Sequence, residues 1–171
     1  MPQNIYDDPD FFAGYSRLPR QVHGLEGAPE WPAIKALLPD LAGRRVADLG
    51  CGFGWASRWM RENGAASVLG LDLSRNMIDR ALADTHDETI SYRIADLETL
   101  ELPHAAFDLV YSALTFHYVE DFARLALLDA AGIAGVPVVG LVPVFLAGQD
   151  DLVGIDDDDV VTIVDMRREG G

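Results

Sequence analysis

Three carboxylates and one glycine-rich loop carry the chemistry that this sequence offers. In VADLGCGFGW, residues 46–55, Asp48 stands just ahead of Gly50, Gly52 and Gly54. Glycines accept positive φ and let a ligand approach the main chain more closely than a Cβ would allow. Asp72 closes the run SVLGLD, and Asp96 sits in RIADLETL, so each acid follows an apolar stretch as Asp48 does. A carboxylate about 20 residues beyond such a loop can accept both hydroxyls of a ribose. One at the next strand end, or the backbone beside it, can meet the exocyclic amine of a purine. Alone, each acid also serves as a helix cap or a strand-end turn residue. Together they describe a nucleoside pocket.

Such a pocket needs a scaffold that delivers the acids to one edge of a sheet. RRVADLG, residues 44–50, reads as a short buried strand that the glycines end. WASRWMREN follows with helical composition, and Asn63-Gly64 supplies a stop that tolerates positive φ. SVLGLD is a second strand, Ser74 caps a helix over RNMIDRALADT, and TISYRIAD is a third strand. FDLVYS is a fourth strand, and VEDFARLALLDAA, residues 119–131, is the next helix. This alternation predicts an α/β, Rossmann-like fold: a mainly parallel sheet, right-handed crossovers and helices on both faces. A strand, glycine turn and helix also place backbone N–H groups and the positive end of a helix dipole at the carboxyl edge of the sheet. Ligands bind there in open α/β folds.

The 171 residues, 49% of them hydrophobic, suffice for one core, which predicts a single domain. Within it, residues 1–40 form an aromatic- and proline-rich arm or cap, 41–125 the cofactor-binding core, and 126–171 an atypical C-terminal segment. In the arm, AIKALL suggests a short helix that Pro39 stops. A net charge of −15 opposes binding to nucleic acid, whose affinity rests on Lys and Arg displacing counterions. The N-terminus MPQNIYDDPD lacks the basic flank and apolar centre of a secretion signal. Cys51 is the single cysteine, which fits a reducing cytoplasm. Ala130–Gly148 carries no charge and is long enough for a bilayer. Its prolines and glycines, its valines and its acidic flanks instead favour a buried strand with loops and no membrane span. Oligomeric state is left open.

The character of the loop narrows the cofactor. A dinucleotide fingerprint needs glycine where Trp55 stands, and Asp48 would repel a pyrophosphate. A cationic, phosphate-free ligand suits that acid. S-adenosylmethionine has an ammonium, a sulfonium, a ribose and an adenine, and no phosphate.

From Tyr6 to Leu125, the successive stretches DLGCGFG, GLDLS, RIADLE and FDLVYSALTFHYVED resemble the motifs of class I S-adenosylmethionine-dependent methyltransferases. The likeness is strongest to the bacterial small-molecule group that includes ubiquinone and menaquinone biosynthesis enzymes. The resemblance implies that Gly50, Cys51 and Gly52 line the methionine portion of the cofactor, with Asp48 and Gly54 part of the same loop. It assigns Asp72 to the ribose, Leu73 and Met77 to the faces of the adenine, and Asp96 with Leu97 to its edge. Ser112 would lie beside the cofactor at the end of the fourth strand. In such enzymes an N-terminal arm folds over the cofactor, so that Arg20, near Tyr15, Arg17 and His23, is placed to pair with the methionine carboxylate. Exposed, solvated charges are the alternative reading of that arm.

Methyl transfer from a sulfonium is an in-line displacement, accelerated largely by holding the acceptor about 3 Å from the methyl carbon in a water-free site. No fixed catalytic set is required. His117 and Tyr118, just past the fourth strand, face the transferred methyl as candidate base and acceptor-orienting group; a packed histidine at a helix start is the rival account of His117. Trp55 and Trp59 pack helix against sheet, and Cys51 is present for its size. No metal is expected, because Asp156–Asp159 lack the alternate spacing and central glycine of a calcium loop.

Beyond Leu125 the chain departs from the family. VPVVGLVPVF stands in for a fifth strand, although its prolines oppose a fully bonded central place, and VVTIVDM can pair at an edge. The departure is consistent with a truncated or replaced C-terminal half, as a shifted reading frame would produce. The expected function is therefore methyl transfer to a small-molecule acceptor. The rival readings are a noncatalytic S-adenosylmethionine-binding protein, favoured by the atypical tail, and a nicotinamide-dependent reductase, which Asp48 and Trp55 oppose.

Overall fold

The computed structural model describes residues 4–103, 105–113 and 138–141. The sheet is parallel throughout, with strand order β3-β2-β1-β4-β5. Its strands are β1 (Arg45–Leu49), β2 (Ser67–Asp72), β3 (Ile90–Ile94), β4 (Leu109–Ala113) and β5 (Val138–Leu141). β1 lies at the centre, and four of its residues, Val46 to Leu49, are buried, as expected of a parallel strand covered on both faces. Leu49 is in register with Leu71, and Asp72 with Ile94, so the chain leaves β1, β2 and β3 at one edge.

Helices α1 (Pro9–Tyr15), α2 (Pro19–Val22) and α3 (Trp31–Leu37) precede the sheet; α4 (Trp55–Glu62) and α5 (Arg75–Ala83) join its first strands. α4 puts Ala56 and Met60 against one face, α5 adds Ile78 and Ala81, and α3 adds Trp31 and Ile34, all over Val46, Val68 and Leu109. Burying a side chain the size of Met60 contributes roughly 1.5–3 kcal/mol. Ala47, Leu49, Leu69, Leu71 and Val110 point to the other face. Among the described residues, that face is covered by Ala95, Leu97, Leu100, Leu102 and Phe107 of the segment after β3, not by a helix.

Among the described residues of the core, the four predicted strands and the helices after the first two of them are present, with shifts that have local causes. The fourth strand starts at Leu109 because Asp108 is engaged elsewhere: its carboxylate accepts from the Arg45 main-chain N, Nε and Nη2, each at 2.9 Å. Ser74 caps α5 as expected, accepting from the Met77 N–H at 3.2 Å. The arm is more ordered than its composition implied. Asp8 accepts from the N–H groups of Asp10 and Phe11 and places Pro9 at the first helical position, so the prolines start α1 and α2. α3 begins at Trp31, earlier than AIKALL, with Pro32 in its first turn.

Within Ala130–Gly148 the described part is β5, in parallel register with β4, and no helix among the described residues is long and apolar enough to cross a membrane. The helix expected over 119–131, the edge pairing of 160–166, the acids Asp156–Asp159, and the catalytic candidates His117 and Tyr118 lie outside the described residues.

Candidate functional site

The carboxyl edge of β1, β2 and β4 opens into a cavity of about 470 Å³, closed on its other side by the arm. That volume falls within the ~300–1,000 Å³ typical of small-molecule sites. Of the residues singled out in the sequence, Asp48, Gly50, Cys51, Gly52, Asp72, Leu73, Met77, Asp96, Leu97 and Arg20 line it together.

The loop does not work as its glycines alone imply. Gly50, Gly52 and Gly54 all have positive φ, but the N–H groups of Gly50 and Cys51 both donate to the Leu71 carbonyl, at 2.7 and 3.0 Å. The Gly52 N–H donates to Asp72 Oδ2 at 2.9 Å. These donors are committed within the protein, so the loop offers a ligand close approach and not a cradle for anions. A Cβ on Gly52 would meet nothing within 4 Å, which leaves the space beside it to a ligand. Gly54 has a different task. It precedes α4, and a Cβ there would run into the Tyr92 hydroxyl.

Asp72 is the best-placed group. Oδ2 accepts from Gly52 N and Oδ1 from Ser74 N, both at 2.9 Å, which fixes the carboxylate plane. The Leu73 N–H also acts on the carboxylate, whose remaining lone-pair capacity can accept from the hydroxyls of a diol. Burial raises its pKa above the ordinary carboxylate value, against the pull of these N–H bonds. Asp48 is 1% exposed and accepts from the Ser57 hydroxyl. Burial pushes its pKa up to about 7, the Ser57 bond opposing and the Asp72 charge assisting. Burial likewise pushes the Cys51 thiol upward, so it is a space-filling group and no nucleophile.

Met77 is buried and Leu73 half-buried on the cavity wall, and Asp96 accepts from the Glu98 N–H at 2.9 Å. Ser112 is placed otherwise: its hydroxyl donates to the Leu49 carbonyl at 2.8 Å and ties β4 to β1 outside the cavity lining. Arg20 reaches the cavity but is already paired with Glu30 at 2.8 Å, its side chain 32% exposed and that of Glu30 only 6%. Arg17 and His23 are exposed and do not line it. Tyr15 does, with its ring edge-on to Phe53. The two tryptophans divide their work: Trp59 packs edge-on against Trp31 of α3, whereas Trp55 lines the cavity under the guanidinium of Arg58.

Sequence reasoning missed Asn4, Tyr6, Glu30 and Tyr111 in the lining. Tyr111 was reachable, since it pairs in register with Asp48 and a parallel neighbour in register presents its side chain on the same face. Glu30, Asp48, Asp72, Asp96 and Glu98 line the cavity against Arg20 as its one basic residue among the described ones, so the described lining is strongly acidic. It favours a cationic ligand and, with the loop donors committed, disfavours a pyrophosphate.

Residues 47–127 match the family model of a methyltransferase domain. Together with the strand order, this match supports a class I S-adenosylmethionine-dependent methyltransferase. Among solved structures, an S-adenosylmethionine-dependent methyltransferase from Mesorhizobium loti is 52% identical, with a TM-score of 0.67 over 70% of this chain and 55% of that one. Phosphoethanolamine N-methyltransferase 1 of Haemonchus contortus, solved with phosphoethanolamine and S-adenosylhomocysteine, is 26% identical, with a TM-score of 0.62 over 77% of this chain and 30% of that one. Malonyl-(acyl-carrier protein) O-methyltransferase of Enterobacter lignolyticus is 41% identical over 52% of this chain and 34% of its own length. The chain spans half or less of the curated relatives it matches. The fold is the Rossmann-like methyltransferase fold, and these likenesses support S-adenosylmethionine as the cofactor of the cavity.

Proposed function

We propose that this chain transfers a methyl group from S-adenosylmethionine to a small-molecule acceptor. The observation that carries the reading is Asp72: main-chain N–H groups, those of Gly52 and Ser74 at 2.9 Å, orient its carboxylate at the wall of an acidic cavity, where it can accept further hydrogen bonds. A carboxylate acceptor so fixed fits the hydroxyl donors of a ribose diol on a cationic nucleoside. When bound, the cofactor supplies a methyl on a positively charged sulfur, displaced in line to leave a neutral thioether.

The residues then have simple tasks. Asp72 holds the ribose, Leu73 and Met77 flank the adenine, and Asp96 with Leu97 meets its edge. Asp48 offsets positive charge at the cavity floor. The arm, through Tyr6 and Tyr15, keeps water from the reacting atoms. Arg20 serves the methionine carboxylate with the guanidinium donors that Glu30 leaves over. His117 and Tyr118 orient the acceptor and take its proton where its chemistry requires a base. The ubiquinone- and menaquinone-type group remains the reading for the acceptor, and a single buried cysteine fits action in the cytoplasm.

Titration with S-adenosylhomocysteine, followed by transfer assays on phenols, quinols and amines, tests this function. Binding with transfer supports it. Binding without transfer supports the rival, a noncatalytic S-adenosylmethionine-binding protein, whose specific support is that the family match ends at residue 127, beside the shift in composition near Leu125.

A further inference from the structure

Asp7 belongs to the arm, yet its carboxylate is bonded to the start of α5. Oδ1 accepts from Ser74 Oγ at 2.6 Å and from Asn76 N at 3.1 Å, and Oδ2 accepts from Arg75 N at 3.4 Å. These main-chain donors belong to the first turn of a nine-residue helix, where N–H groups lack intrahelical partners and the dipole favours an anion. The neighbours of Asp7 reinforce the contact. Asn4 Nδ2 donates to Asp7 Oδ2 at 2.6 Å, and Asn76 Nδ2 donates to the Tyr6 carbonyl at 3.2 Å. Burial would raise the Asp7 pKa, but the hydrogen bonds from Ser74, Asn76, Arg75 and Asn4 outweigh it and hold the carboxyl below its ordinary value.

The other end of the same segment rests on the glycine loop, where Phe12 and Tyr15 meet the Phe53 ring at centroid distances of 5.6 and 6.1 Å. The arm thus bridges α5 and the loop beside the cavity that Asn4, Tyr6 and Tyr15 line. Ser74 links the two sides. Its hydroxyl donates to Asp7 while its N–H donates to Asp72 Oδ1, and Asp72 Oδ2 holds Gly52. One chain of hydrogen bonds therefore runs from the arm, through Ser74, to the carboxylate assigned to the ribose and on to the loop. Asp7 itself is exposed, so water competes for its partners.

We infer that Asp7 is a positioning residue that latches the arm over bound cofactor, by clasping the α5 N-terminus beside Asp72, and so slows cofactor release. The inference rests on the proposed assignment of the cavity to S-adenosylmethionine. A latch acts on departure more than on arrival, as most affinity changes do.

The test compares wild type, Asp7→Ala and the control Asp10→Ala, an exposed acid of the same arm with no bond to α5. Association and dissociation of S-adenosylhomocysteine are followed by tryptophan fluorescence, and trypsin cleavage after Arg17 is timed at saturating ligand. The expected result for Asp7→Ala is dissociation about tenfold faster with association nearly unchanged, together with faster cleavage of the liganded arm; Asp10→Ala behaves as wild type. Equal dissociation rates in wild type and Asp7→Ala, or the same acceleration in Asp10→Ala, overturn the latch alone. Failure of wild type to bind S-adenosylhomocysteine overturns the cofactor assignment, and the latch with it.

Discussion

Asp48 and Ser57 share a 2.5 Å hydrogen bond in which both side chains are buried, with no cation in ion-pair contact with the carboxylate among the described residues. A carboxyl with a folded-state pKa of about 7 binds its proton more tightly folded than unfolded. Its contribution to stability is therefore complete below the ordinary value near 4 and is lost as pH rises from there through about 7. Asparagine cannot ionise. In urea unfolding without ligand, Asp48→Asn should gain on wild type by a few kcal/mol between pH 5 and pH 8. A constant difference across that range would show that Asp48 titrates normally.

Removal of the Asp72 carboxylate should affect the nucleoside and spare the amino acid. Asp72→Ala is expected to weaken S-adenosylhomocysteine binding by about 1.5–3 kcal/mol, the worth of hydrogen bonds to a charged group. Calorimetric titration with S-adenosylhomocysteine and with free methionine separates the effects. An equal loss for both ligands would count against the ribose assignment.

Gly52 and Gly54 should fail in different assays. A side chain at Gly52 meets open cavity, so Gly52→Val should abolish S-adenosylhomocysteine binding while adding only the left-handed backbone cost, roughly 1–2 kcal/mol. Gly54→Ala also strikes Tyr92 and should lower the thermal midpoint further than Gly52→Ala does. The two glycines exchanging these phenotypes would contradict the loop geometry.

Ser112→Ala should leave cofactor affinity unchanged and cost about 1 kcal/mol of stability, because its hydroxyl is bonded to the Leu49 carbonyl. Urea midpoints and S-adenosylhomocysteine titration distinguish this from a direct contact with the cofactor, which would lower affinity instead.

What the sequence made legible is what local pattern controls. The apolar run before Asp48, the glycines after it and Ser74 at the start of α5 each carry a signal within a few residues, and the strands and helices lie there. The short arm helices did not stand out, because α1 and α2 are seven and four residues long and their prolines read as breaks. Ser112 misled because its place at a strand end is local, whereas the carbonyl that takes its hydroxyl belongs to another strand. Arg20 lies beside the cavity, but Glu30, ten positions along, holds it there, and no periodicity announces that pair.

Because one carbonyl, that of Leu71, receives both Gly50 and Cys51, the curve of the ligand-facing backbone is dictated by the adjoining strand and not by the loop's own side chains. A substitution on the loop therefore leaves that curve in place as long as β2 keeps the Leu71 carbonyl where both N–H groups reach it.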